Sequence, residues 1–223
     1  MDTGFWLERW ECNQIGFHQD AVNSYLIKHL PELRLRAGDP VFVPLCGKTL
    51  DMLWLDEQGY AVLGVELSPL AIESFFKENA RRVRCVQAGM FTRWTSGSLD
   101  ILCGDFFDLT REDLGGAKAV YDRASLIALP LHMRPAYMAH MAGLLPSASR
   151  ILLVTLEYPE GEMAGPPFSV GEREVGRLCH DWFDVKVLGS TDILAQNPRF
   201  RDRGLTRLCE IVYLLVKNSD AGP

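Results

Sequence analysis

The chain has 223 residues, 48% of them hydrophobic, and a formal net charge of −6. That length suits one α/β domain with a sizeable core, and an acidic balance without a basic block argues against a nucleic-acid partner. No stretch reaches the ~18 apolar residues of a membrane span, and the opening MDTGFWLERWECN lacks a basic segment followed by an apolar run, so neither membrane association nor a secretory leader is expected.

In chain order, residues 5–17 are dense in rings, at Phe5, Trp6, Trp10 and Phe17. They read as an arm too short to be a domain, either packed on the core or laid as a flap over a flat ligand. Residues 18–30 predict a helix with Val22, Tyr25, Leu26 and Leu30 on one face, ended by Pro31. Val41-Phe42-Val43 is a buried strand, Pro44-Leu45-Cys46-Gly47 breaks it, and a helical pattern follows with Leu50, Leu53 and Trp54 on one side. Gly59 closes that helix, and residues 61–65 form a second buried strand ending in Glu66. Ser68-Pro69 starts a helix that runs to about Asn79 with Ile72, Phe75 and Phe76 inward. Residues 90–103 read as two short strands around a Thr-Ser-Gly-Ser turn, the second leading into Gly104-Asp105-Phe106. A strand at 119–121 ends at Asp122-Arg123, a helix runs from Pro135 to Leu145, and a strand covers 151–158. Residues 159–170 carry three prolines and two glycines and read as a loop. A helix at 171–180 precedes strands at 185–188 and 208–217, joined by a long loop containing Asn197-Pro198-Arg199-Phe200.

Six cysteines stand at 12, 46, 85, 103, 179 and 209, with no Cys-x-x-Cys spacing and several inside apolar patterns. They read as reduced thiols in a cytoplasmic protein.

Strand, tight turn, helix, strand and acid, over residues 41–66, make the first unit of a nucleotide-binding α/β sheet. Glu66 follows Leu45 by 21 positions, which suits a carboxylate that meets a ribose diol. A dinucleotide turn needs three spaced glycines to admit a pyrophosphate, and this turn has Gly47 alone. Gly47-Lys48-Thr49 supplies only the tail of a P-loop, because the position five before Gly47 is Phe42, inside the strand. A ribonucleoside without phosphates at the turn remains, and S-adenosylmethionine is the commonest such ligand on this architecture. Successive crossovers predict a mostly parallel sheet with helices on both faces. The helix-free ending predicts an antiparallel last strand. A seven-stranded sheet of that kind is the Rossmann-like arrangement of class I methyltransferases. The whole chain, 1–223, reads as a single domain, with residues 1–35 as an arm and helix covering the cofactor site.

The segments Phe42-Val43-Pro44-Leu45-Cys46-Gly47-Lys48, Val62-Leu63-Gly64-Val65-Glu66, Asp122-Arg123, Gly165-Pro166-Pro167-Phe168 and Val212-Tyr213-Leu214-Leu215 together resemble the thiopurine S-methyltransferase family. The likeness runs from Trp6 to Lys217, and the short N-terminus is similar to that of bacterial members. The resemblance implies S-adenosylmethionine as cofactor and a sulfur acceptor on an aromatic or heteroaromatic ring. It also implies cofactor contacts at Trp10, Leu45, Glu66 and Arg123, with Trp6 and Phe17 in the same arm. Arg123 would hold the methionine carboxylate or face the acceptor, and Arg199 aligns with a basic residue near the acceptor. Asp105 and Phe106 end the third parallel strand, where an adenine commonly lies, and Asp105 would either accept from its amino group or cap the next turn.

Methyl transfer from a sulfonium asks the protein to bring two sulfurs together and exclude water. A thiolate is the competent nucleophile, and an aromatic thiol ionises readily, so no residue is assigned as a catalytic base. His18, His29, His132, His140 and His180 form no metal-ligand pattern, and no metal is expected. The expected protein is a monomer acting on a small thiol, with a selenium or tellurium acceptor as the alternative within the family. Two rivals from other classes are a nucleotide-dependent oxidoreductase and a nonenzymatic nucleoside-binding regulatory module.

Overall fold

A computed structural model of the protein describes residues 3–16 and 18–219. The chain forms two units, residues 1–121 and 122–223.

The first unit is built on β1 (Pro40–Val43) and β2 (Ala61–Glu66), which pair in parallel with Val41 opposite Val62. Parallel partners β5 (Leu99–Cys103) and β6 (Ala119–Arg123) lie outside β2 and β1 respectively. Val41, Phe42, Val62, Val65, Ile101 and Val120 are all buried. Strands covered on both faces carry continuous apolar runs, and that is how these segments were legible. A hairpin turns β5 back onto β4 (Phe91–Ser96), and its tip needs Gly97, whose φ is +68°. β4 pairs antiparallel with β3 (Arg84–Ala88), giving the order β3-β4-β5-β2-β1-β6 in this unit. β3 was not expected as a strand. It is an edge with Arg84, Cys85, Val86 and Gln87 exposed, so no apolar alternation announces it. With it, nine strands form among the described residues where seven were expected.

Three helical expectations also change. The aromatic arm is an α-helix, α1 (Thr3–Glu11), packed against the helix that follows β2. The helix expected from residue 18 begins later, as α2 (Ser24–His29), where the Asn23 side chain accepts from the Tyr25 amide at 3.0 Å. The α-helix ends at His29, as Pro31 predicts, and Leu30–Leu33 follow as a 3-10 turn with Pro31 in its first positions. In α3 (Asp51–Glu57) the buried face is Asp51, Met52 and Leu55, not the Leu50, Leu53, Trp54 side. The Asp51 carboxylate accepts from the Asn23 backbone amide at 2.8 Å, so a charged side chain takes an inward position with its partner in place. The next helix, α4 (Pro69–Glu78), matches expectation, with Ser68 capping and Ile72, Phe75 and Phe76 buried.

The second unit centres on β7 (Arg150–Glu157), β8 (Phe183–Asp192) and β9 (Cys209–Lys217). β9 lies between the other two and runs antiparallel to both, which bears out the reversed last strand. Helices α5 (Arg134–Leu144) and α6 (Glu172–Cys179) carry inward Tyr137, Met141, Val175 and Cys179. The segment expected as a long loop before β9 contains a short helix, α7 (Pro198–Arg201), with Pro198 supplying its first turn.

Loop 159–170 is tied down from several sides. The Phe168 amide donates to the Ile127 carbonyl at 2.7 Å, and the Tyr158 hydroxyl donates to the Pro167 carbonyl at 2.7 Å. Arg134, buried at the start of α5, donates to the Leu129 and Ser169 carbonyls and pairs with Glu174 of α6 at 2.7 Å. Farther along, Glu162 accepts from the Thr206 amide at 2.9 Å and hydroxyl at 2.6 Å. Tyr158, Phe200, Leu205 and Leu208 form an apolar cluster beneath these bonds, with Met163 and Leu194 against it.

Candidate functional site

The turn after β1 adopts a shape that its sequence does not favour. Leu45 has φ +43° and Gly47 has φ +52°, both left-handed. A leucine there costs free energy and persists only where its surroundings hold it. The Cys46 amide donates to the Val65 carbonyl at 2.9 Å, and the Gly47 amide donates to Glu66 Oε2 at 2.8 Å. Glu66 Oε1 accepts from the Ser68 amide at 2.8 Å. One buried carboxylate therefore joins the turn to the N-terminus of α4. Burial pushes the Glu66 carboxyl above its usual range, while the amides of Ser68, Gly47 and Leu67 pull it back. A carboxylate has about four acceptor positions, so two amide bonds leave capacity for a diol.

Lys48, the remnant of a phosphate-loop pattern, is committed elsewhere. Its ammonium donates to both oxygens of Glu78 at 2.8 and 2.9 Å, tying the turn to the end of α4.

Trp10 lies against this turn. A Cβ at position 47 would fall 3.2 Å from Trp10 Cζ2, so the glycine provides both the backbone angle and the room for the ring. Trp6 and Trp10 stand one helical turn apart on the same face of α1 and are both partly exposed. Trp6 meets Phe5 edge-on at 5.3 Å, and the Arg9 guanidinium sits 4.4 Å over the Phe5 ring. Phe17 lies outside the described residues. The thiols of Cys46 and Cys103 flank Glu66. Burial and then the Glu66 charge raise both, so they stay protonated.

Of the pair after β5, Asp105 takes the capping role, its Oδ1 accepting from the Phe107 amide at 2.9 Å. Phe106 is buried and stacks on Phe42 with ring centres 6.5 Å apart. The ring left partly exposed is its neighbour Phe107, edge-on to Phe106 at 5.4 Å. Sequence reasoning passed over it, since nothing in Phe106-Phe107 says which ring turns inward.

In the second unit, Arg123 ends β6 and is partly exposed. Burial raises the Glu210 carboxyl of β9 and the Arg123 charge lowers it, so these two groups act on each other. Glu210 was not singled out, because only the strand register brings it there. Asp122 is buried and accepts from the Tyr137 hydroxyl at 2.7 Å. Arg199 is exposed on α7, with its guanidinium 4.9 Å from the Phe200 ring centre and that of Arg203 at 6.0 Å. Burial and then the neighbouring Arg203 charge lower the Arg199 pKa.

The structure thus gathers Trp10, Leu45 and Glu66 around one turn, with Trp6 on the same helix face as Trp10. It places Asp105 and Phe106 in a separate turn, and Arg123 and Arg199 in the second unit. Among the described residues, no group of three His, Cys, Asp or Glu side chains could hold a metal ion, and no helix is long and apolar enough to cross a membrane.

The sequence model of the thiopurine S-methyltransferase family matches residues 1–218. A thiopurine S-methyltransferase of Nitrosospira multiformis is 51% identical over 97% of this chain and 98% of its own length. One from Pseudomonas aeruginosa is 49% identical over 96% of this chain and 99% of its own. Among solved structures, the Burkholderia thailandensis 1,6-didemethyltoxoflavin-N1-methyltransferase, with bound 1,6-didemethyltoxoflavin and S-adenosylhomocysteine, superposes with a TM-score of 0.62 at 14% identity over 97% of this chain and 87% of that one. The cyclase SpnF superposes equally well, with a TM-score of 0.61 at 12% identity over 90% of this chain and 84% of that one. The same fold therefore carries more than one activity, and the sequence relatives carry the functional argument.

Proposed function

The chain belongs to the thiopurine S-methyltransferase family, and from that premise we propose a division of labour among its residues. It is an S-adenosylmethionine-dependent methyltransferase with the class I fold. Bound S-adenosylmethionine supplies a methyl group already activated by its sulfonium. The residues of the first unit fit that cofactor. Glu66 offers spare acceptor positions to a ribose diol, bare backbone at Gly47 leaves a flat approach, and Trp10 presents a ring beside it. The observation that carries this reading is the buried Glu66 carboxylate, which fixes the turn and still has capacity for a ligand. Leu45, held left-handed in the same turn, would contact the ligand as well, and Trp6 and Phe17 would extend the aromatic cover.

For the acceptor we take an aromatic or heterocyclic thiol, reacting as its thiolate. Arg123 and Arg199 would steady its negative charge, and Arg123 is equally suited to the methionine carboxylate. Arg199 supports this role by its place on α7, where the exposed guanidinium lies beside the Phe200 ring. Asp105 keeps its cap and would reach an adenine only with its remaining acceptor capacity, while Phe106 supports the site from within the core. We take the whole chain as one functional domain, with residues 1–35 covering the cofactor, working as a cytoplasmic monomer. The six free cysteines support that compartment.

The test is a calorimetric titration with S-adenosylmethionine, S-adenosylhomocysteine and NAD, followed by an assay of methyl transfer to thiophenol. Tight binding of the first two with methylation of thiophenol is expected. Binding without transfer would favour a regulatory module, and selective binding of NAD would favour an oxidoreductase.

A further inference from the structure

Asp122 and Arg123 are the last two residues of β6. Consecutive strand residues point to opposite faces. Asp122 is 2% exposed, whereas Arg123 is partly exposed. On the inward side the Asp122 carboxylate accepts from the Tyr137 hydroxyl of α5 at 2.7 Å. The Ser125 side chain and the Ser125 and Leu126 amides lower its pKa against the larger effect of burial, while its Oδ1 is buried with no hydrogen-bond partner among the described residues. Cys179 of α6 faces the same side, and burial together with the Asp122 charge pushes its thiol up to about 12.

Ser125 and Leu126, the groups that act on the carboxylate beside Tyr137, follow Arg123 by two and three positions. The chain leaves the strand through Ala124, held left-handed at φ +66°. Ser125 is fully buried, and a 3-10 turn, Leu126–Ala128, follows. The turn therefore folds back onto the carboxylate of the residue that precedes Arg123. A non-glycine residue stays left-handed only when its neighbours hold it there. Arg123 is the residue between the buried Asp122 and that left-handed position.

We propose that Asp122, braced by the Tyr137 hydroxyl, is the positioning residue that fixes the backbone from which Arg123 reaches its ligand. This rests on the reading of Arg123 given above. Asp122 itself touches no substrate. Its effect passes through the turn, so it has nothing to act on once the guanidinium is gone.

A double-mutant cycle tests this. kcat/KM for thiophenol and calorimetric affinity for S-adenosylhomocysteine are measured in wild type, Arg123→Ala, Asp122→Asn and Tyr137→Phe, and in the two doubles that combine Arg123→Ala with each of the others. Tyr137→Phe keeps the buried ring and removes only the donor, so it carries the test if Asp122→Asn folds poorly. Misplacement of a ligand contact by about 1 Å costs roughly 100-fold in rate. Arg123→Ala should therefore lower kcat/KM or cofactor affinity by about 10- to 100-fold. Asp122→Asn should reproduce most of that loss, and Tyr137→Phe part of it, in the same parameter. Neither double should be worse than Arg123→Ala alone, because groups acting in series do not add. Losses that multiply in the doubles would overturn the positioning role and leave Arg123 as a ligand contact. An Arg123→Ala enzyme with wild-type kcat/KM and affinity would defeat the reading of Arg123, and the positioning role with it.

Discussion

Replacing Glu66 with glutamine separates its two tasks better than alanine does. Its oxygens accept the Gly47 and Ser68 amides at 2.8 Å each. Alanine would leave both buried donors unpaired, at about 1–3 kcal/mol apiece, against a total stability of about 5–15 kcal/mol. Glutamine keeps one oxygen to accept and turns its amide nitrogen toward the other donor, so about 1–3 kcal/mol is at risk. Part of that is offset, since burial already disfavours the charge at this position. Toward a ribose diol the change is from charge-assisted bonds, about 1.5–3 kcal/mol each, to neutral ones of about 0.5–1.5 kcal/mol. Two such bonds weaken binding by about 2–3 kcal/mol, or roughly 30- to 150-fold. The measurements are calorimetric affinity for S-adenosylhomocysteine and urea unfolding without ligand, in wild type and Glu66→Gln. If the unliganded protein loses stability while its affinity stays within about twofold of wild type, Glu66 is a brace for the turn and the ribose assignment is wrong.

Gly47→Ala should cost about 1–2 kcal/mol for a left-handed alanine and weaken S-adenosylhomocysteine binding, because its methyl would press on Trp10; an unchanged unfolding midpoint and affinity would contradict that. Amide hydrogen exchange across residues 3–16 should slow when S-adenosylhomocysteine is added, and equal protection in both states would make α1 plain packing. Arg199→Ala should lower kcat/KM for an anionic aromatic thiol by about 5- to 150-fold, from a contact of about 1–3 kcal/mol, with a smaller loss for a neutral acceptor and partial recovery in Arg199→Lys; equal losses for both acceptors would assign Arg199 to loop support. Burial raises the Asp122 carboxyl from 3.8 to about 6 in the folded protein, so its ionised form costs stability above that pH and the cost is relieved as pH falls through about 6 toward 4. Wild type should therefore gain up to about 3 kcal/mol relative to Asp122→Asn between pH 7 and pH 4, and parallel pH–stability curves for the two would remove the charge from that site.

The parallel core was legible because doubly covered strands must be apolar throughout, as Val41-Phe42-Val43 and Val62-Leu63 are. β3 was not, since an edge strand with Arg84 and Gln87 in solvent has no burial pattern to display. α1 escaped notice for a related reason. Its rings at Phe5, Trp6 and Trp10 do not follow a single core stripe, and part of their contact is with each other and with Arg9. The buried face of α3 was misjudged because Asp51 looks solvent-bound until the Asn23 amide is seen beside it. In the site, the spacing put Glu66 beside the turn, where the structure has it. That the same carboxylate holds two backbone amides was not legible, because main-chain donors carry no residue identity. Glu210 and Phe107 were missed similarly. The first is brought to Arg123 by strand register, and the second is one of two identical side chains that only packing can tell apart.

The placement of β9 between β7 and β8 has a consequence during biosynthesis. The strand translated last fills a gap between two translated earlier. Until residues 209–217 leave the ribosome, β7 and β8 both offer unpaired backbone on the sides β9 will occupy. On β7 the residues opposite Val212, Tyr213 and Leu215 are Val154, Leu153 and Ile151, so that waiting edge is strongly apolar. Such edges recruit other chains when left open. A pause in translation before Cys209 should therefore expose the nascent chain to aggregation more than a pause of equal length before Pro40, and holdase chaperones would be recruited at the later point.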